Sequence, residues 1–426
     1  FYLGIALQAQ GYHDAAVKAY KKAISIKANY AEAYNNLGLT LKDKEDLQAA
    51  INHFNKAISI EPEYSDAYNN KGNVLKQQGQ VKEAIECFEM AISVQPNNAE
   101  ATNNLGLVFA EIGELDLAIS LYEEAIARVP DSPWAYLNLG NIFKRQGQLE
   151  TSVQAYRKAI SFQPKYSLAY NNLGDALRKQ GKLNEALSAF IKATSLDINN
   201  AEACINLANS LFRKQLLKPH PDLPYLLTTI LNHKTLVRPK DIAPAAISLL
   251  KFEPTIIQLK NQSEKIMLFS DLLKMVTKLS KSQLLLKLMA VCPIADLELE
   301  VMFYNLRSNL LLSIRKLKEY PEILSFQTAL ALQCFTNEYI YGVSEADTLA
   351  LKELEEEVKI SLQLGVQPPP QAVLCLASFQ ALNRYYWCDL LTFSTDIQQV
   401  YERQISQPNK EKCLKNEIPS FKRISD

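Results

Sequence analysis

The fold is decided by a hexapeptide, Ala33-Tyr34-Asn35-Asn36-Leu37-Gly38, that returns with small changes every 34 residues. A period between about 20 and 50 residues is typical of solenoids and other repeat architectures. The glycine of each copy marks the period at Gly4, Gly38, Gly72, Gly106, Gly140 and Gly174. A second series follows seven residues behind, with Glu45 in place of glycine in one unit: Gly11, Gly79, Gly113, Gly147 and Gly181. We expect the first series to let two helices approach closely and the second to turn the chain between them.

Further markers recur in the same register. They are a small residue (Ala16, Ala50, Ala84, Ala118, Ser152, Ala186), an aromatic residue (Tyr20, Phe54, Phe88, Tyr122, Tyr156, Phe190) and an alanine (Ala23, Ala57, Ala91, Ala125, Ala159, Ala193). Their spacing of four and then three residues places them on one helical face. Proline closes the unit at Pro62, Pro96, Pro130 and Pro164, where it cannot continue a helix. Each unit therefore predicts two amphipathic helices. In the unit that contains Gly38, the first helix begins near residue 33 and the second spans about residues 46–60.

Together these markers resemble the tetratricopeptide repeat (TPR) consensus at nearly every position. The resemblance implies an all-α, right-handed superhelical solenoid, in which each helix pair buries its apolar face against its neighbours. We count a partial repeat from Phe1, five full repeats over about residues 31–200, and the first helix of a seventh over residues 201–215. The predicted domains are a TPR solenoid over residues 1–215 and an irregular all-α helical linker domain over residues 216–426. The predicted function is to hold another protein as an interaction scaffold.

The exposed stripe of each first helix is rich in asparagine. In a TPR solenoid the first helices line the concave groove, so a ligand would meet these side chains. An amide carries both a donor and an acceptor, so a row of amides can pair with the backbone of an extended chain whatever its side chains are. The predicted peptide-binding asparagines are Asn36, Asn70, Asn104, Asn138, Asn172 and Asn206, with Asn73, Asn141 and Asn209 one turn further along.

A basic series follows one turn later on the same stripe, at Lys42, Lys76, Lys144 and Arg178, with Ala110 interrupting it. Such cations would favour a ligand that carries carboxylates, and we include them among the predicted peptide-binding residues. A second interpretation makes them solvated helix ends, where positive charge suits the helix dipole. The asparagines also have a second interpretation, as hydrogen bonds between helices. We expect Tyr34, Tyr68, Tyr136 and Tyr170 to pack in the core.

The asparagine array resembles the TPR superhelix of the O-linked N-acetylglucosamine transferases. In that family the concave asparagines hold the backbone of the substrate, which implies the same binding mode here. The resemblance covers residues 1–215 only, and nothing downstream resembles the glycosyltransferase domains of those enzymes. It therefore informs the binding mode and not the activity.

After residue 215 the 34-residue register is lost, and proline rather than glycine separates the predicted helices. Leucine-rich stretches such as residues 263–289, 297–317 and 323–341 have apolar residues at helical spacing, and we predict about eight helices in this second half of the chain. The four histidines form no H-x-x-H pair, no cysteine stands at ligand spacing from a histidine, and no glycine-rich phosphate loop is present. We predict that the chain as given is not an enzyme and holds neither a metal nor a cofactor.

Two segments of the second half carry a further resemblance: residues 329–341 (A-L-A-L-Q-C-F-T-N-E-Y-I-Y) and residues 292–300 (C-P-I-A-D-L-E-L-E). They resemble the helical linker of bacterial TPR proteins that carry a C-terminal S-adenosylmethionine-dependent methyltransferase domain. In that family a segment like residues 418–421 (I-P-S-F) leads into the catalytic domain, which is absent from this chain. Gln333, Asn337 and Glu338 also have an interpretation as capping or interhelix contacts, with Cys334 as a small buried side chain.

Three functions stay open at this point. The chain is the substrate-recognition and linker part of a TPR methyltransferase, a complete non-catalytic TPR adaptor, or the recognition arm of a glycosyltransferase. The reading frame beyond Asp426 distinguishes them.

The charge balance limits the classes of partner, and the cysteine content indicates the cellular compartment. Lysine plus arginine equals aspartate plus glutamate at 46 each, so we expect no strong attraction to nucleic acid or to anionic membranes and predict a protein or peptide partner. No apolar run approaches the ~18 to 20 residues that a membrane helix needs. Seven scattered cysteines without a C-x-x-C pair indicate reduced thiols and a cytoplasmic protein. The sequence leaves the oligomeric state open.

Overall fold

The computed structural model describes residues 1–233, 237–262, 267–339, 342–392 and 397–408. These residues form helices and turns and contain no strand, which confirms the predicted all-α class. Contacts divide the chain into two compact units, Phe1–Ala189 (unit 1) and Phe190–Asp426 (unit 2). The division falls inside a helix of the repeats, and the domain boundary at residue 215 stays a prediction. Residues 340–341, Cys413 and the segment 418–421 lie outside the described residues.

The helices of the repeats come in the pairs that the 34-residue period predicts. They are α1 (Tyr2–Ala9) with α2 (His13–Ile26), α3 (Ala31–Asp43) with α4 (Leu47–Ile60), α5 (Ser65–Gln77) with α6 (Val81–Val94), α7 (Ala99–Ile112) with α8 (Leu115–Arg128), α9 (Pro133–Arg145) with α10 (Leu149–Phe162), and α11 (Ser167–Lys179) with α12 (Leu183–Leu196). From α1 to α11 each helix contacts the next one along the chain. Each pair therefore buries its apolar face against its neighbours, as expected of a solenoid.

In the five pairs from α1 with α2 to α9 with α10, the glycine of the first helix lies against the aromatic ring of the second helix. A Cβ added at Gly38 would lie 2.6 Å from Cε1 of Phe54, well inside van der Waals contact. Phe54 is fully buried, together with Ala50 and Ala57 on the same face of α4. The glycine and the ring thus set the distance between the two helices, which explains why both recur in register.

The second glycine series has a different cause, which is the left-handed turn that ends each first helix. Gly79 has φ 77°, and the amides of residues 79–80 both donate to carbonyls of the last turn of α5 at 2.9 Å. Glu45 adopts the same conformation with φ 63°, and the amides of residues 45–46 donate to α3 over the same distance. The turn therefore persists where the sequence lacks glycine, at the cost of a strained residue.

Unit 2 contains the first helix of the seventh repeat, α13 (Ala201–Leu211), followed by an irregular helical array. The helices of the array are α14 (Leu223–Asn232), α15 (Pro239–Leu250), α16 (Pro254–Gln262), α17 (Phe269–Leu279), α18 (Gln283–Val291), α19 (Leu297–Leu312), α20 (Ile314–Leu317), α21 (Leu324–Thr336), α22 (Glu345–Gln363), α23 (Pro370–Ala377) and α24 (Gln398–Tyr401). These eleven helices of the described residues outnumber the predicted eight, and two of the additional ones arise because α17 ends before α18 within the stretch 263–289 and α19 ends before α20 within 297–317. The centre of the array is α21, which packs against α18 and α23.

The described residues also bear on two predictions, one about membrane-spanning helices and one about the state of the cysteines. Within them, no single helix is both long enough and apolar enough to cross a membrane, and α15 with α16 meets that test only as a pair bent by 76°. Six cysteines in the described ranges are free and buried: Cys87, Cys204, Cys292, Cys334, Cys375 and Cys388.

Replacing Glu45 with glycine should raise the free energy of unfolding by about 0.5–1 kcal/mol, because relief of the left-handed strain outweighs the extra freedom of glycine in the unfolded chain. The matched change Gly79→Ala should lower it by about 1 kcal/mol. No atom lies within 4 Å of the added Cβ, so this loss is conformational and not steric. Urea unfolding followed by circular dichroism measures both variants. A lower midpoint for Glu45→Gly would contradict the turn described above.

Candidate functional site

The predicted asparagines of unit 1 lie on the surface formed by α3, α5, α7, α9 and α11, which we call the first-helix surface. The asparagines on it are Asn36, Asn70, Asn73, Asn104, Asn138, Asn141 and Asn172, and all are half-buried. The first helices of successive pairs contact each other directly. The remaining two, Asn206 and Asn209, lie on α13 in unit 2, where Asn206 is half-buried and Asn209 is exposed.

Four of these asparagines form a row of hydrogen bonds from helix to helix, which we call the amide ladder (Asn70, Asn104, Asn138 and Asn172). In three of them Nδ2 donates to Oδ1 of an asparagine of the preceding repeat: Asn70 to Asn35 at 3.0 Å, Asn104 to Asn69 at 2.9 Å, and Asn138 to Asn103 at 2.6 Å. Asn172 donates instead to Asn141 at 2.9 Å, because Leu137 stands where the other repeats have the accepting asparagine. Asn36 has no such partner, since Phe1 occupies that place.

The amide ladder keeps most of its hydrogen-bonding capacity. Each Nδ2 carries two protons, and one of them is used in the bond to the preceding repeat. Among the described residues, no donor reaches Oδ1 of any of the four. The bond to the neighbour fixes the orientation of each amide, so that one N–H and one carbonyl oxygen remain for a ligand.

Three of the four residues that accept these bonds, Asn35, Asn69 and Asn103, were not among the predicted site residues, whereas the fourth, Asn141, was. Asn35 and Asn69 are buried, and Asn69 also donates to Oε1 of Glu100 at 3.0 Å. The signal for them was the doubled asparagine of the Y-N-N motif, in which the first asparagine recurs in the same register as the second. The alternative interpretation of the asparagines as contacts between helices therefore describes part of what they do.

Asn141 links the amide ladder to the core of its own repeat. Its Oδ1 accepts from Nδ2 of Asn172 at 2.9 Å and from the hydroxyl of Tyr156 at 2.8 Å. Tyr156 is fully buried, and its burial raises the pKa of the hydroxyl. In the preceding repeat Leu107 stands in the place of Asn141, and the buried hydroxyl of Tyr122 has no hydrogen-bond partner among the described residues.

Three of the four predicted cations form ion pairs within the protein. Lys76 contacts Glu111 of the next repeat at 2.6 Å, and Lys144 contacts Asp175 of the next repeat at 3.1 Å. Arg178 contacts Asp175 at 2.7 Å. Lys42 makes no ion pair with the described residues. The contacts of Lys76 and Lys144 tie successive first helices together, a role that neither sequence interpretation anticipated.

The cationic side chains of this region are arranged around the carboxylate of Asp175. Burial by itself would raise the pKa of its carboxyl, but hydrogen bonds from Arg178 and Lys144, with the charges of Lys144 and Lys179, outweigh burial and lower that pKa. Asp175 therefore stays ionised throughout the neutral range and holds Lys144 and Arg178 against α11.

Two of the tyrosines expected in the core are only half-buried and stack on second helices. The ring of Tyr34 lies 5.9 Å from that of His53, and the ring of Tyr136 lies 5.6 Å from that of Phe162. Tyr68 and Tyr170 are half-buried as well. The packing position of the repeat is thus filled at the edge of the core rather than at its centre.

In unit 2 the two segments that resemble the methyltransferase linker meet at Gln333. In the amide orientation that satisfies its neighbours, Gln333 donates to the carbonyls of Met289 and Cys292 and accepts from the amide of Ile294 at 2.9 Å. The neighbouring Cys334 is fully buried, and burial raises the pKa of its thiol to about 12. These residues hold the helices of unit 2 together, as their structural interpretation predicts.

Unit 2 offers cavities but no cluster of reactive groups. A cavity of about 400 Å³ lies between α14, α18 and α21, and among the described residues Lys287 is the one charged side chain that lines it. No group of three histidine, cysteine, aspartate or glutamate side chains within the described residues is arranged to hold a metal ion. We therefore place the candidate site on the first-helix surface.

Replacing Tyr156 with phenylalanine should lower the free energy of unfolding by about 1 kcal/mol, because Asn141 loses a buried hydrogen bond. The matched change Tyr122→Phe should leave stability unchanged or raise it by up to about 1 kcal/mol, since it removes a buried hydroxyl without a partner. Thermal and urea unfolding of both variants measure the difference. Equal losses in the two variants would show that the hydroxyl environments are alike and would contradict the contacts of Asn141.

Several solved structures are similar to part of this chain. MamA is 29% identical over 38% of this chain and 95% of its own, with a TM-score of 0.35. YrrB, described as a TPR protein with an unusual peptide-binding site, is 23% identical over 44% and 96%, with a TM-score of 0.35. PilF of Pseudomonas aeruginosa is 18% identical over 47% and 92%, with a TM-score of 0.42. No curated protein matches the chain.

Family models match the first half of the chain and leave no gap. Models described as tetratricopeptide repeat match residues 69–133 and 121–154. A model described as TPR repeat matches residues 4–44, 39–79, 140–179 and 174–215. Residues 4–215 of this chain are therefore a continuous run of tetratricopeptide repeats.

Proposed function

We propose that the first-helix surface binds an extended peptide segment of another protein and that the amide ladder pairs with the backbone of that segment. A run of tetratricopeptide repeats makes the chain a protein-interaction scaffold, and a fold of this kind typically has no catalytic role. The proposal adds the place and the mode of binding. The observation that carries it is the row of oriented amides, each with one N–H and one carbonyl oxygen left for a ligand.

The spacing of the ladder suits an extended chain. Packed helices lie about 8–10 Å apart, and an extended chain advances about 3.3 Å per residue. Successive amides therefore meet the ligand about every third residue. Since an amide pairs equally well with backbone N–H and C=O groups, this recognition depends little on the ligand's side chains.

The contacts between helices favour a groove at this surface. The first helices of successive pairs contact each other more extensively than the second helices do. A solenoid with that asymmetry curves toward its first helices, and its inner side forms the concave groove of the proposal.

The test uses a peptide selected from a random display library on the immobilised protein, labelled with a fluorophore. Replacing Asn104, Asn138 and Asn172 together with alanine should weaken binding about a hundredfold, at roughly 1 kcal/mol for each lost pairing. Fluorescence anisotropy measures the affinity, and circular dichroism checks that the variant folds.

Asparagines on a second helix supply the matched control. Asn52 and Asn55 are exposed on α4, and their replacement with alanine should leave the affinity unchanged. Methylation of the peptide's backbone nitrogens should abolish binding, whereas conservative side-chain changes should not. Full affinity of the triple variant, or of the methylated peptide, would overturn the proposal.

We also propose that this scaffold presents its ligand to a methyltransferase domain encoded beyond Asp426. The proposal rests on the resemblance of residues 292–300 and 329–339, and the contacts of Gln333 support treating the two segments as one element. The codons after Asp426 test it. A strand followed by a glycine-rich loop would support a methyltransferase, a nucleotide-sugar domain would favour a glycosyltransferase arm, and a stop codon would favour an adaptor.

A further inference from the structure

We infer that the first-helix surface carries opposite charge at its two ends and selects an extended segment that is basic at one end and acidic at the other. The inference rests on the proposed function, because it specifies the ligand of the same surface. The partner carries lysine or arginine over α3, α5 and α7, and it carries aspartate or glutamate over α9 and α11.

The charges of the first helices are segregated along unit 1. The net charge is −2 on α3, α5 and α7 taken together and +3 on α9 and α11, in a chain whose total is zero. The first three helices carry Glu32, Asp43, Asp66, Glu100 and Glu111 against Lys42, Lys71 and Lys76. The last two carry Lys144, Arg145, Arg178 and Lys179 against Asp175. The asymmetry therefore belongs to this surface and not to the composition of the chain.

Helix dipoles account for the charges of α3 and α5, which have an acidic first turn and a basic last turn, but not for those of α7, α9 and α11. A dipole favours acidic residues in the first turn and basic residues in the last turn of every helix. Yet α9 and α11 have no acidic residue in the first turn, and Trp134 and Leu168 stand there instead. The last turn of α7 has no basic residue and contains Glu111. From α7 onward the two signs are thus sorted mainly between helices: α7 carries only acidic residues, and α9 carries only basic ones.

The acidic end has carboxylates without cationic partners. Glu32 and Asp66 are exposed on neighbouring helices, and neither forms an ion pair with the described residues. Glu100 follows on the next helix and accepts from the amide of Asn69 instead of from a cation. Three carboxylates in a row, one on each helix, are therefore available to a ligand's lysine or arginine side chains.

The basic end has more cations than carboxylates. Asp175 is shared by Lys144, Arg178 and Lys179 at 3.1, 2.7 and 3.7 Å. Arg145 donates to the backbone carbonyl of Ala110 at 2.6 Å, which does not neutralise it. One carboxylate cannot balance four cations, so this end keeps a positive charge for an acidic ligand group.

The distance between the two ends sets the length of the ligand. From α5 to α11 there are three steps between first helices, or about 24–30 Å at the usual helix spacing. An extended chain covers that distance in about eight or nine residues. The centres of the ligand's basic and acidic segments should thus lie about eight or nine residues apart, with the junction between the segments beside Asn104 and Asn138.

The test compares two labelled peptides of about twelve residues with the same composition. One has lysines at one end, a neutral Ser-Ala stretch and aspartates at the other end; the second alternates lysine and aspartate. We expect the segregated peptide to bind about tenfold more tightly at low salt, because its charges match the surface at both ends. The difference should vanish at about 1 M salt, where the Debye length is about 3 Å.

Charge reversal at the basic end, Arg178→Glu with Lys179→Glu, should remove the preference for the segregated peptide. The matched control Lys56→Glu with Lys158→Glu changes the net charge equally on exposed positions of second helices and should keep the preference. Equal binding of the two peptides to the unaltered protein would overturn the charge inference and leave the amide pairing intact. Failure of every peptide to bind would overturn both.

Discussion

The contact between a glycine of one helix and the aromatic ring of its partner is the constraint on which unit 1 depends. Phe54 fills the space where a side chain at Gly38 would lie, and the same contact returns at Gly72 and Phe88. Because this contact fixes how the two helices of a pair meet, every repeat places its other residues at equivalent positions. The asparagine two residues before each glycine is therefore carried to the same point on successive helices. Hydrogen bonds between repeats follow from that equivalence.

Those hydrogen bonds connect the stability of the repeats to their surface chemistry. The side-chain amide of Asn138 donates one N–H to Asn103, and its second N–H and its carbonyl oxygen remain free to bond a ligand. The ion pairs of Lys76 and Lys144 also join first helices of successive repeats, nearer the C-terminal ends of α5 and α9. The side chains that hold successive first helices in place are thus the ones that the proposed ligand would meet. Their orientation is set before a ligand arrives, which reduces the entropy lost on binding.

The 34-residue period predicted most of the helices and turns of unit 1 but none of its specific hydrogen bonds or ion pairs. A 34-residue register identifies which residues recur, and it correctly predicted the helix pairs and the glycine turns. It does not tell which atom bonds across repeats, so the accepting residues Asn35 and Asn69 and the carboxylate of Asp175 were missed. Glu45 shows the reverse case, because the turn is dictated by its neighbours and tolerates a residue that local preference disfavours.

Unit 2 offered less to sequence reasoning because it has no period. Apolar spacing predicted helices within the leucine-rich stretches, but it did not reveal where one helix ends and another begins inside them. The buried polar contacts of Gln333 join segments that are far apart in the chain. Such contacts depend on the packing of several helices at once, which a single sequence without repeats does not expose.

The bond between Asn138 and Asn103 gives the most direct test of the central claim, which is that the amides are oriented by the neighbouring repeat. A double-mutant cycle with Asn138→Ala and Asn103→Ala, measured by urea unfolding, isolates their coupling. The account predicts a coupling of about 1 kcal/mol in favour of the pair. Additive losses, with no coupling beyond about 0.3 kcal/mol, would mean that the amides are not held by their neighbours and would contradict the account.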